Sequence, residues 1–151
     1  MKKILALVLI IAACNNNDKK TDTQFLNEPP RPTSVNIKKH YEGSFSNGMK
    51  ETTISFDISD DGSKLENLTF SGYWRCNGEM EQDILGPEKS FDIVDNKVDG
   101  TITEPEDGGA TAIRYELHAT IDGDNAQGSF RMNINALGCD TYVLNWTAQK
   151  K

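Results

Sequence analysis

Apolar and polar residues alternate along this chain from Ile37 onward, with a period of two. The clearest run extends from Leu68 to Cys76, where apolar residues and Gly72 occupy every second position. Turn-forming sequences separate such runs, and the separations of about 8–12 residues are typical of all-β domains. The predicted turns are Asn47-Gly48, Asp60-Asp61-Gly62-Ser63, Asp95-Asn96 and Asp122-Gly123-Asp124-Asn125.

The alternation also predicts how the strands pack. Strands with apolar residues on one parity and polar residues on the other bury one face and expose the other. With about eight or nine such strands, we favour a single antiparallel β-sandwich, and a closed meander β-barrel is the alternative. Glu79–Leu85 is ambiguous, and we favour a short strand or loop over one helical turn. The largest predicted core residues are Trp74, Trp146, Phe56, Phe70, Phe91, Phe130 and Tyr115.

The first residues have a different character. Lys2 and Lys3 precede an unbroken apolar run, Ile4–Ala13, which is typical of a secretory signal peptide. The run is too short to cross a bilayer, which takes about 20 residues. Ile11-Ala12-Ala13-Cys14 resembles the bacterial lipobox, and this resemblance implies cleavage before Cys14 and diacylation of its thiol. The alternative is an ordinary signal peptide with an incidental cysteine.

Residues 15–36 are polar and include three prolines. Such a segment buries too little apolar surface to fold by itself. The domain prediction is therefore a signal peptide over 1–13, a lipidated cysteine and flexible tether over 14–36, and a β-domain over 37–149. We expect attachment to a bacterial membrane in the cell envelope. We favour the outer membrane and leave open whether the domain faces the periplasm or the cell surface.

Charge narrows the range of partners. Without residues 1–13, which include two lysines, the chain has 14 basic and 23 acidic residues and a formal net charge of −9. Nucleic acids and anionic lipid headgroups would be repelled by this charge. We therefore expect no nucleic-acid partner, and membrane attachment only through the lipid on Cys14.

If Cys14 carries the lipid, Cys76 and Cys139 are an even pair in an oxidising compartment, and we predict a disulfide between them. Free thiols or a metal site are the alternatives. His40 and His118 do not stand at ligand spacing from the cysteines, which disfavours zinc. Acidic turns such as Asp122 to Asp124 do not match a calcium-binding loop, so we predict no metal and no cofactor.

Catalytic motifs are lacking. Neither a G-x-S-x-G nor an H-E-x-x-H pattern occurs, and no catalytic residue is predicted. We interpret the chain as non-enzymatic, with a hydrolase lacking a recognisable motif as the alternative. His118 falls between Leu117 and Ala119, so we expect it to point into solvent.

The strongest candidates for binding a partner are Tyr73 and Arg75. Both lie on the solvent-facing side of the clearest predicted strand, Leu68 to Cys76. Tyrosine and arginine are enriched where proteins bind one another. We therefore expect a monomeric, non-catalytic binding module for an envelope or extracellular protein or glycan. The alternative is an inhibitor or immunity protein against an envelope-attacking enzyme, whose basic surface the acidic domain would match.

The domain is also similar to small secreted bacterial β-domains of unassigned activity. The similarity lies in Tyr41-Glu42-Gly43, Phe70-Ser71-Gly72, Gly86-Pro87, Gly128-Ser129-Phe130, and Cys139 followed by Trp146. In size and location the chain also resembles disulfide-bonded β lipoproteins that inhibit lysozyme. Neither resemblance assigns a functional residue here.

Overall fold

A computed structural model describes residues 39–151 of this chain. The predicted signal peptide, Cys14 and the tether lie outside these residues. Within them, no helix is long and apolar enough to span a membrane. The ten strands are β1 Lys39–Phe45, β2 Thr53–Ile58, β3 Lys64–Cys76, β4 Glu79–Leu85, β5 Phe91–Asp92, β6 Lys97–Glu104, β7 Ile113–Asp122, β8 Asn125–Ile134, β9 Cys139–Asp140 and β10 Leu144–Lys150, with one 3₁₀ turn at Asn135–Leu137.

All ten strands belong to one antiparallel sheet that closes on itself. Strand β10 pairs with both β1 and β8, and β9 pairs with both β3 and β8, so the ring runs β10-β1-β2-β3-β9-β8. Strands β7 and β6 continue from the far side of β8, while β4 and β5 pair with β3. The all-β antiparallel class is confirmed. Of the two predicted packings, the closed barrel is the one observed, because β10 pairs with β8 as well as with β1 and so completes the ring.

Large aromatic side chains fill the interior, and all seven predicted core residues are buried. Phe70 stacks on Phe130 with ring centroids 5.7 Å apart, and Phe56 meets Trp146 edge-on at 5.6 Å. Burying one such side chain stabilises the fold by about 2 kcal/mol. The core therefore contains the large residues that the alternating sequence pattern predicts to face inward.

A β-bulge in β3 sets the direction of its side chains. Ser55 pairs with Thr69 but Asp57 pairs with Glu66, so two residues of β3 lie opposite one of β2. Asn67 adopts a left-handed φ of 52° there. The extra residue shifts the alternation of side chains by one position. The even-numbered residues from Phe70 to Cys76 therefore point into the core, while Tyr73 and Arg75 point outward.

The ambiguous segment Glu79–Leu85 is a strand. It forms a hairpin with β3 through Asn77 and Gly78, whose φ angles of 49° and 85° fit the type I′ turn that Asn-Gly favours. Asp95-Asn96 also connects paired residues with two positive φ angles, which confirms that predicted turn.

The predicted turn at Asn47-Gly48 needs a correction. The chain there forms a loop over residues 46–52, and the reversal falls at Met49 to Thr52. The Asn47 side chain instead donates to the Val143 carbonyl and accepts from the Asn145 amide, at 2.9 and 2.7 Å. Asn47 therefore ties this loop to the start of β10.

The predicted disulfide between Cys76 and Cys139 is confirmed. Arg75 pairs with Asp140 across β3 and β9, which places Cys76 opposite Cys139 in the next row. The bond thus joins β3 to the two-residue strand β9 that completes the ring.

Candidate functional site

The outward surface of the β3–β4 hairpin carries the predicted binding residues. Residues opposite one another in an antiparallel pair share a face of the sheet. Tyr73 pairs with Gln82, and Arg75 pairs with Met80. Tyr73 is half-buried and Arg75 is exposed. We call this surface the β3–β4 face, and it consists of Ser71, Tyr73, Arg75, Met80, Gln82 and Ile84.

Arg75 carries a charge that is available to a partner. Its neighbour across the other edge of β3 is Asp140, but that carboxylate binds Arg131 through two hydrogen bonds of 3.1 and 2.6 Å. Burial raises the pKa of Asp140, while the bonds from Arg131 and the Tyr142 amide outweigh it and lower the pKa overall. Among residues 39–151, the Arg75 guanidinium has no ion pair.

Large apolar side chains are exposed on the same hairpin face as Arg75 and just after β9. Ile84 is 73% exposed and Met80 47% exposed, both on the β3–β4 face. Tyr142, two residues after Asp140, is 62% exposed and has a left-handed φ of 55°. Its amide donates to Asp140 Oδ1 at 2.7 Å, which holds this strained position. A contiguous patch of exposed apolar side chains is a common mark of an interaction surface.

The opposite face of β4 carries a row of carboxylates that the sequence reasoning missed. Glu79, Glu81 and Asp83 pair with residues of β3 that point into the core. Asp83 accepts a hydrogen bond of 2.6 Å from the Trp74 indole, while Glu79 and Glu81 are exposed. The sequence does place acidic residues at every second position of this segment. That spacing puts them on one face only if the segment is a strand, which the sequence left open.

His40 lies on the outer face of β1, between two carboxylates. Its Nδ1 is 2.7 Å from Asp57 Oδ1, and its Nε2 is 3.5 Å from Glu42 Oε1. Asp57 also accepts a bond of 2.7 Å from the Asn67 side chain. The arrangement ties β1, β2 and the bulge of β3 together.

His118 points away from the core, as the sequence predicts, and lies in a shallow groove. Asp99, His118 and Ser129 form one row across β6, β7 and β8, with His118 Nδ1 3.1 Å from Asp99 Oδ1. These are the residue types of a catalytic triad. However, the aspartate side chain is 83% exposed, and within the described part of the chain Ser129 makes no hydrogen bond to His118. A triad instead needs a buried carboxylate and a serine bonded to its base.

A second groove, of about 900 Å³, crosses the outer faces of β2, β1, β10, β8 and β7. The strand register arranges its polar side chains in two rows. One row is Thr53, Ser44, Thr147, Gln127 and Thr120, and the other is Ser55, Glu42, Gln149, Asn125 and Asp122. Short polar side chains of this kind are what the solvated face of an antiparallel sheet normally carries.

Acidic residues in and beside the turns accept hydrogen bonds from backbone amides or bind lysines. Glu104 accepts from the amides of Glu88 and Lys89, and Asp124 lies 3.4 Å from the Lys150 ammonium. Across residues 39–151, no group of three potential ligand side chains is placed to hold a metal ion.

Comparisons with known protein families, with curated proteins and with solved structures find no match for this chain.

Proposed function

We propose that this chain is a lipid-anchored binding protein of the bacterial cell envelope, which captures a protein partner on the β3–β4 face. The observation that supports this most is that Arg75, which has no ion pair within residues 39–151, shares the outer face of one hairpin with the exposed side chains of Met80 and Ile84. Tyrosine, methionine and arginine are enriched at protein interfaces, and tyrosine and arginine are among the residues that dominate the binding energy.

The sequence of residues 1–36 supports the location. A diacylated Cys14 would supply the two acyl chains that stable anchoring needs. The polar segment after it would let the domain reach a partner away from the membrane. Labelling with a palmitate analogue should mark the wild-type chain and leave a Cys14→Ser variant unlabelled.

A second candidate is an inhibitor or immunity protein that blocks a basic envelope-attacking enzyme. The carboxylate row on β4 and the net charge of −7, which would be −9 without residues 1–13, favour it, since both match a basic target. Its binding would weaken steeply with added salt, because electrostatic complementarity is screened.

A photo-crosslinking experiment in intact cells tests the β3–β4 face. A photoreactive amino acid replaces Tyr73 in one variant and Gln149, in the polar groove on other strands, in the matched control. We expect one discrete protein adduct from position 73 and none from position 149. Adducts of equal yield at both positions, or from position 149 alone, would overturn the assignment of this face.

A loss-of-contact variant complements this. Tyr73→Ala combined with Arg75→Ala should remove the crosslink formed from a third position, Met80, while the Tm falls by no more than about 6 °C, because Arg75 is exposed and Tyr73 is only half-buried. A crosslink that persists in this variant would exclude the two side chains from the site. Glycan capture without a protein adduct would contradict the choice of a protein partner.

A further inference from the structure

Strand β4 has one edge that no other strand covers within residues 39–151. It pairs with β3 along its whole length and with nothing on its other side. An uncovered strand edge presents backbone N–H and C=O groups that can pair with another chain. This edge borders the β3–β4 face, so a partner bound along the edge would also contact that face.

The hairpin determines which backbone groups are free. Its loop has two residues, so Cys76 and Glu79 form a hydrogen-bonded pair. Hydrogen-bonded and non-hydrogen-bonded pairs alternate along an antiparallel ladder. Met80, Gln82 and Ile84 therefore direct their N–H and C=O groups away from β3, toward the free edge.

The two faces of this edge differ in chemistry. Glu79, Glu81 and Asp83 lie on one face, and Met80, Gln82 and Ile84 lie on the other. Successive residues on one face of a strand are about 7 Å apart. A partner strand with the same period would place one set of its side chains against carboxylates and the other against apolar groups.

Charge excludes a second copy of this strand as the occupant. Two β4 edges paired with each other would bring carboxylates of the same row together, and like charges directly opposite are destabilising. Basic side chains at alternate positions would have the opposite effect. Inward-facing charges on an edge strand also deter uncharged apolar strands.

We infer that β4 binds an extended segment of a partner protein by strand addition, and that this segment alternates Lys or Arg with apolar residues. The inference rests on the proposed function, since it specifies the partner of the same surface. The main-chain bonds would give affinity and the two faces would give specificity.

Peptide binding to the full chain carrying Cys14→Ser tests the inference. The probe is a fluorescent nonapeptide in which Lys and Val alternate, read by anisotropy. Its control has the same composition with Lys and Val in separate blocks, so it cannot place all its charges on one face. We expect the alternating peptide to bind at least about tenfold more tightly, because only that order forms the cross-strand pairs. Equal binding of the two, or none, would overturn the inference.

Charge reversal locates the site. Glu79→Lys with Glu81→Lys should weaken binding of the alternating peptide about tenfold, since two attractive pairs become repulsive. The matched control, Asp107→Lys with Asp122→Lys, changes the net charge equally at two exposed sites away from β4 and should leave binding unchanged. An equal loss in both variants would mean that bulk charge, and not the β4 edge, binds the peptide.

Backbone readouts test strand addition directly. Gln82→Pro removes one edge N–H without removing a β3–β4 bond, and it should weaken binding much more than Gln82→Ala, which removes the same side chain but keeps the N–H. In the wild type, the peptide should slow hydrogen exchange at Met80, Gln82 and Ile84, which needs no variant to fold. Protection elsewhere would refute the inference.

The peptide and the crosslink together distinguish this inference from the proposed function. If the peptide does not bind but the position-73 crosslink remains, strand addition is wrong and the binding function stands. Peptide binding without that crosslink would support the edge and refute the face.

Discussion

At the scale of single residues, Asp61 shows how one side chain organises a turn. Its Oδ1 accepts hydrogen bonds from the Ser59 hydroxyl at 2.7 Å, the Ser63 amide at 3.0 Å and the Ser63 hydroxyl at 2.8 Å. These bonds favour the charged form and lower the pKa of Asp61 from 3.8 to about 2. The residue was predicted as a turn former, and its acidity follows from that role.

The Asp61 pKa predicts a pH-dependent contribution to stability. Because the folded pKa lies below the unfolded one, the contribution is complete above about pH 4 and is lost as pH falls through about 2. Asp61→Ala should therefore lower the Tm by a few degrees at pH 7, and this difference should shrink between pH 4 and pH 2. Thermal unfolding across that range is the measurement.

Asp60→Ala is the matched control, because within the described residues this neighbour accepts no side-chain hydrogen bond. It should change the Tm little at any pH. A difference for Asp61→Ala that is as large at pH 2.5 as at pH 7 would contradict the assignment.

At the scale of strands, close backbone approach requires glycine at several positions, and Gly128 is one of them. Gly128 of β8 pairs with Ala119 of β7 on one side and Trp146 of β10 on the other. A Cβ atom there would lie 1.9 Å from the His118 carbonyl oxygen, which is far inside contact distance. Both ladders hold this backbone in place, so neither neighbour can move away easily.

Gly128→Ala should lower the free energy of unfolding by about 3 kcal/mol, the upper range for overpacking a tight site. Urea unfolding followed by tryptophan fluorescence measures it. Ser129→Ala is the control on the outward parity of the same strand, and it should change the value by less than about 0.5 kcal/mol. Equal effects of the two substitutions would show that β8 has room at Gly128.

At the scale of the whole molecule, the ring closes through its shortest strand. Strand β9 has two residues and pairs with β3 through one residue pair and with β8 through two. So short a ladder contributes few hydrogen bonds to closure. The Cys76–Cys139 bond lies at that junction, and it links positions 63 residues apart in sequence.

Loss of this disulfide should destabilise the domain by about 4 kcal/mol, because the loop it closes restricts the unfolded chain. For a domain of this size we expect the Tm to fall by roughly 15 °C. Calorimetry with and without reductant, on a Cys14→Ser background, measures the effect. A Cys76→Ala, Cys139→Ala variant should melt at the reduced temperature and ignore reductant. An unchanged Tm after complete reduction would refute the prediction.

The local part of the candidate site was predictable from the sequence. Alternation from Leu68 to Cys76 indicates which side Tyr73 and Arg75 occupy, because each side chain in a strand points opposite to its neighbours. The structure confirms that outward placement. The availability of Arg75 was not predictable, since it depends on Arg131, distant in sequence, binding Asp140.

The free edge of β4 and its carboxylate row also escaped the sequence reasoning. Glu79–Leu85 is too short and too polar for its period to separate a strand from a helical turn. Which strand keeps one unpaired edge depends on how all the other strands pair, and many of those partners are far apart in the chain. An edge is a property of the sheet and not of the strand.

Alternation and turn chemistry act between near neighbours, so the sequence alone predicts the all-β class, most turns and the buried residues. It also predicts the pair of Cys76 and Cys139, because the third cysteine, Cys14, is assigned to the predicted lipid. Only the tertiary structure decided that the sheet closes into a barrel, that Arg75 lacks an ion pair within residues 39–151, and that β4 keeps an open edge. These depend on where distant strands meet, and strand pairing across the chain is set by the packing of the whole core rather than by any local pattern.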